Sequence, residues 1–170
     1  MAKKKLTLGQ MTLFGVLAAM TFGAKVAMSY LPNIEPVTLF LLVFGAVFGW
    51  RAVFIAYTYV AAEILFYGLG LWNINYLYIW LIPVALGWWM GRLKHPVLWA
   101  MVSGLYGLLF GALCAPVDIC VGGLGYGVSK WISGIPFDLT HGIGNFVLAL
   151  ALFVPLRRLT ERLYGRIRTG

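Results

Sequence analysis

Acid is nearly missing from this sequence. Its 170 residues hold five Asp and Glu against thirteen Lys and Arg, a formal net charge of +8, and only 11% are charged at all. An average soluble domain carries about 25%. So few charges cannot cover the surface of a soluble domain of this size, which excludes a soluble enzyme and a disordered tail. Cysteine is scarce too. Cys114 and Cys120 cannot make a secreted disulfide scaffold; they read as packed thiols near a helix end or as one disulfide on the outer side of a membrane. Catalytic signatures are also missing. No His-Glu-x-x-His zinc motif or Ser nucleophile with a base occurs. One His beside one Asp supplies too few ligands for zinc. The glycines from Gly122 to Gly127 lack the Lys-Ser/Thr of a phosphate loop, so the chain itself hydrolyses no ATP. No catalytic residue, metal or cofactor is expected. The bases form no polar face that could track phosphates, so nucleic acid is not an expected partner.

What remains is apolar. Hydrophobic residues make up 62% and aromatics 16%. A bilayer core takes about 20 helical residues. The apolar runs predict one all-α membrane domain over residues 1–170, with six transmembrane helices over 6–31, 37–50, 52–69, 76–91, 96–115 and 135–156. The second and fourth are short, so tilt or local thinning is expected. Residues 70–75 read as a loop, and the Gly-rich stretch 116–134 as a flexible outer lid. The first run is too long for a signal peptide and lacks a small-x-small cleavage site. Lys3, Lys4 and Lys5, Arg51, Arg92 and Lys94, and Arg157, Arg158, Arg162, Arg166 and Arg168 all fall on one side of this topology. By the positive-inside rule that side, with both termini, is cytoplasmic.

Only Lys25 and Lys130 fall toward the other side, and so do Glu35, Glu63, Asp118 and Asp138; the fifth acid, Glu161, lies in the basic tail. A carboxylate at Glu63, roughly 17 Å along the third helix at 1.5 Å per residue, marks a candidate functional site. Lys25 is its most obvious partner, as a structural pair, as part of a pocket, or both. In the last helix Asp138, His141 and Asn145 share one face by their spacing of three and four. That stripe faces a ligand or makes internal hydrogen bonds, because lipid would leave it unsatisfied. Asp138 is also favourable simply at a helix N-terminus. Trp72, Tyr76 and Trp131, with Asn73 and Asn75, gather at the same level; they form an interfacial belt or stack on a flat ligand. Small residues recur every four positions at Gly15, Ala19, Gly23 and Ala27, and again at Ser103, Gly107, Gly111 and Ala115. Either ladder suits close helix approach, within the bundle or toward a partner. No internal repeat appears, which weighs against a secondary carrier.

The six-helix pattern, with Leu31-Pro32-Asn33-Ile34-Glu35-Pro36-Val37-Thr38, Asn73-Ile74-Asn75-Tyr76-Leu77-Tyr78-Ile79-Trp80, and Gly134-Ile135-Pro136-Phe137-Asp138 leading to His141 and Asn145, resembles the substrate-binding (S) components of energy-coupling factor vitamin transporters. The resemblance covers almost the whole chain. It implies capture of a vitamin or related micronutrient from outside a prokaryotic cell membrane. Delivery would then pass to a transmembrane T component driven by two cytoplasmic ATPases. It also implies that the face bearing Gly15, Ala19, Gly23 and Ala27 meets the T component, although the family's Ala-x-x-x-Ala is not strictly present. The outer charge balance favours a neutral, zwitterionic or cationic ligand, and a long Gly-rich lid suits a corrinoid or a modified nucleobase. A stand-alone ion-coupled carrier or channel is the alternative.

Overall fold

A computed structural model describes residues 6–169; Lys3, Lys4 and Lys5 lie outside the described residues. Every regular element among them is helical. Helix α1 spans Leu8–Ala27, α2 Val37–Phe48 and α3 Val53–Tyr67, with a 3-10 turn, Gly49–Ala52, between the last two. Helices α4 (Trp72–Ile79) and α5 (Leu81–Met90) are separated only by Trp80. Helix α6 covers Pro96–Leu108 and α7 Phe110–Thr169, broken at Gly123.

Local chemistry sets several of these boundaries. Thr7 caps α1: its hydroxyl accepts from the Gln10 amide at 3.3 Å, and the Gln10 side chain accepts from the Thr7 amide at 3.2 Å, a reciprocal capping box. Gly49 adopts φ +63° and Gly123 φ +84°, a region glycine enters without penalty. At both positions the chain doubles back. Beyond Gly123, Lys130 reaches Asp118 at 2.6 Å, and a Cβ on Gly107 would meet Gly142. Residues 96–122 and 124 onward are thus the two arms of one antiparallel hairpin.

Here the sequence expectations need correcting. The stretch 116–134 is not a flexible lid; it is the helical tip of that hairpin, and only Gly123 leaves helical geometry. Glycine's weak helix propensity yields to pairing between the arms. A Cβ on Gly127 would collide with Ile119, so the small residues expected to loosen the segment let its arms close. Residues 72–75 are likewise helical, because the Asn73 side chain accepts from the Gly70 amide at 2.6 Å and starts the turn. The first helix ends at Ala27 rather than 31, and the last continues to Thr169 rather than 156. Cys114 and Cys120 are free thiols, not a disulfide.

Helix α2 is apolar all round and is the centre of the bundle. Leu39, Leu41, Leu42, Val43 and Phe44 are fully buried, as a helix without a polar face requires. It packs tightly on α5, where a Cβ on Gly87 would strike the Leu42 carbonyl and Gly45, and also on α7; α1 packs on α3. The start of α1 and the end of α7 meet at one end of the bundle, where the Gln10 side chain donates to the Tyr164 hydroxyl at 3.3 Å.

Beside this apolar core, several polar side chains are buried and large apolar ones face outward. Gln10, Thr21, Thr38, Glu63, Asn145 and His141 are buried, while Leu65 is 88% exposed, Leu69 84% and Trp89 79%. Three helical stretches, Leu8–Ala27, Val37–Tyr67 and Pro96–Ile167, are long and apolar enough to cross a membrane, the latter two containing the reversals at Gly49 and Gly123. Such a surface is compatible with a membrane protein.

Candidate functional site

A cavity of about 420 Å³ opens at the end of the bundle opposite the Gln10–Tyr164 contact. The end of α1 and the α1–α2 loop form one side, with Lys25, Met28, Ser29 and Glu35. Tyr59 of α3, Tyr76 of α4 and Trp80 form another, and Phe110, Phe137, Asp138 and His141 of α7 the third.

Glu35 is held first by its own helix. It accepts from the Val37 amide at 2.5 Å, the Thr38 amide at 3.3 Å and the Thr38 hydroxyl at 2.7 Å. A carboxylate there satisfies orphan amides at the start of α2 and complements the helix dipole. Its Oε1 also lies 3.2 Å from His141 Nε2 on α7. Burial pushes the Glu35 carboxyl up, but the hydrogen bond and charge of His141, the Thr38 hydroxyl and the Val37 amide prevail and hold it below its ordinary value. The preceding turn places Asn33 at φ +59°, which Asn tolerates better than most residues.

Asp138 does not occupy a helix N-terminus, since the helix around it begins just after Gly123. Its Oδ1 instead accepts from the Gly111 amide of the opposite arm at 3.0 Å. Helix α6 stops at Leu108, so Gly111 lies in a fresh first turn whose amides lack intrahelical partners. A Cβ on Gly111 would overlap the Asp138 carboxylate, so only glycine leaves room for this cap. Asp138 Oδ2 makes no hydrogen bond within the chain.

Glu63, 1% exposed, pairs with Lys25 at 2.5 Å and joins α1 to α3. Lys25 also approaches the faces of Tyr67 and Tyr76, at 5.2 Å and 5.9 Å from the ring centres. The pair is structural, and it borders the cavity through Lys25. No matching family model, curated protein sequence or solved structure is found for the chain.

Of the residues singled out from sequence, Glu35, Tyr76, Asp138 and His141 line one cavity. Glu63 stands behind Lys25. The others are placed elsewhere. Asn73 caps the start of α4, and Asn75 lies 3.0 Å from the Tyr78 hydroxyl. Trp72 packs edge-on against Tyr76 at 5.1 Å. Trp131 is exposed on the hairpin, outside the cavity lining. Asn145 is buried, with neither end of its amide hydrogen-bonded within the chain. Tyr59, Trp80 and Phe110 were not anticipated. Two of them carried a readable signal: Tyr59 lies one helical turn before Glu63, and Trp80 extends the i, i+4 row Trp72–Tyr76, with Tyr76 and Trp80 5.2 Å apart.

The two small-residue ladders have opposite fates. Gly107, Ser103 and Ala115 are buried, Gly111 is half-buried, and the row packs inside the hairpin. Gly15, Ala19, Gly23 and Ala27 are all exposed, and a Cβ on Gly15 or Gly23 would meet nothing. Among the described residues, no group of three or more His, Cys, Asp or Glu could hold a metal ion.

Proposed function

We propose that the chain is a six-span protein of the prokaryotic plasma membrane, with both termini cytoplasmic. It binds a vitamin-like micronutrient from outside and acts as the S component of an energy-coupling factor importer. In this reading α4 and α5 form one span, and the arms of the α6–α7 hairpin form the last two. The observation that carries it is the cavity: ionisable and aromatic side chains converge on one end of a bundle that exposes many large apolar side chains. Ligand pockets combine an apolar wall with a few placed polar groups in this way. The cavity end is the one remote from Arg157, Arg158 and Arg162, as the positive-inside rule requires for an external site. The exposed ladder on α1 supplies a face for a T component, and the ATPases would supply the energy.

The test is to purify the chain alone and identify any co-purified small molecule by mass spectrometry, then measure its rebinding. Tight binding of one micronutrient without transport by the chain alone is the expected outcome. Uptake into liposomes by the chain alone, driven by an ion gradient, would overturn the proposal in favour of a carrier. The Lys25–Glu63 and Glu35–His141 pairs at one cavity are the features such a carrier would use as a proton relay.

A further inference from the structure

We infer that the cavity selects a flat heteroaromatic of one or two rings that carries an amine or a positive charge. This deepens the proposed function and rests on the cavity being the ligand site.

Size is the first constraint. About 420 Å³ lies near the low end of small-molecule sites, which span roughly 300–1,000 Å³. A fused ring pair with a short substituent fits; a corrin macrocycle with its side chains does not. The lid expected to admit a corrinoid is a closed helical hairpin.

Shape is the second. Trp80 is the hub of an aromatic wall, with Tyr76 at 5.2 Å and Tyr59 and Phe110 each at 5.9 Å between ring centres. Such a wall favours a flat ring, by offset or edge contacts. Trp80 Nε1 is buried and makes no hydrogen bond within the chain. The indole N–H can only donate, so it calls for an acceptor, such as a ring nitrogen or carbonyl.

Charge is the third. Among the described residues, Lys25 is the sole Lys or Arg lining the cavity, and Glu63 already neutralises it. Glu35 and Asp138 remain. Even a protonated His141 offsets only one of them, so the lining keeps negative charge. Asp138 Oδ2 has no partner and can only accept when ionised. An ammonium, an amino group on a ring or a ring N–H⁺ satisfies it; a carboxylate or phosphate on the ligand would be repelled.

The test titrates the full-length chain in detergent with five probes, read by intrinsic tryptophan fluorescence and thermal shift. The probes are adenine, the 1,3-dimethylbenzimidazolium cation, hypoxanthine, nicotinate and cobinamide. Adenine or the cation is expected to bind at least about ten-fold tighter than hypoxanthine and nicotinate, as one charge-assisted hydrogen bond allows, with no cobinamide binding. Asp138→Asn should erase that preference. Trp80→Phe, the second variant, should weaken all ring probes alike. Cobinamide or nicotinate binding tightest, in a way that His141→Ala abolishes, would overturn this inference and leave the proposed binding function standing. No binding by any probe, with no co-purified ligand, would overturn both. Should Asp138→Asn fail to fold, the ranking of probes on the wild-type chain still decides.

Discussion

At the residue scale, Glu35 joins structure to site: it caps α2 and touches His141 across the cavity mouth. Its carboxyl titrates below the ordinary value of 4.5. A group depressed in this way contributes stability that is complete above its unfolded value and is lost as pH falls through the folded one. The unfolding temperature of Glu35→Gln is therefore expected to lie below wild type at neutral pH. The gap should close as pH drops below about 4.5; a gap that widens toward pH 3 would contradict the assignment. Lys25 and Glu63 test a different principle. Removing either partner leaves a charge in the bundle and is expected to cost about 3 kcal/mol, whereas Lys25→Met with Glu63→Leu should recover most of it. A double-mutant cycle by thermal unfolding measures the coupling. The pairing of Lys25 with Glu63 was legible in the sequence, because both are scarce charges at one depth. The pairing of His141 with Glu35 was not, since 106 residues separate them and either has other partners in principle.

At the element scale, glycine decides how closely helices approach. A Cβ on Gly87 or Gly45 would meet backbone of the facing helix, which cannot swing aside. Gly87→Ala and Gly45→Ala are each expected to destabilise by about 1–3 kcal/mol through overpacking. Gly15→Ala and Gly23→Ala, facing open space, should leave stability unchanged or raise it by about 0.5–1 kcal/mol through helix propensity. Thermal unfolding of the four variants in one detergent makes the comparison. Equal losses in all four would mean that α1 packs within the chain on its small face. The spacing of the two ladders was visible in sequence, but their roles were not. Period-four small residues describe a smooth helix face without saying what lies against it.

At the scale of the whole molecule, α1 presents an unoccupied smooth face on one side and carries a cavity residue, Lys25, at its end. The two can be separated by substitution. Ala19→Leu places a bulky side chain on the outward face and, if the proposed importer is correct, is expected to block assembly with its T component. Stability and ligand affinity should stay as in wild type, checked by co-purification beside a binding titration. Normal assembly of that variant would move the contact to another face. The proposed topology and the cavity agree on direction: Arg157, Arg158 and Arg162 lie toward one end of the bundle, and the cavity opens at the other.

Composition and run length by themselves determined that this chain is helical and apolar outside, because so few charges cannot solvate a domain and apolar runs of about 20 residues suit helices rather than the roughly 10-residue strands of a barrel. Sequence also marked the scarce ionisable residues, since each is costly in an apolar chain. Tertiary structure alone decided which of them meet. Asp138 reads locally as a helix-start residue, yet it caps a turn on the opposite arm, through a gap that exists only because residue 111 is glycine. The Gly-rich stretch reads locally as a loop, yet it is helical because the facing arm is there to pair with it. Both outcomes depend on contacts between residues far apart in the chain, and local propensity, worth at most about 1 kcal/mol per glycine, cannot override them.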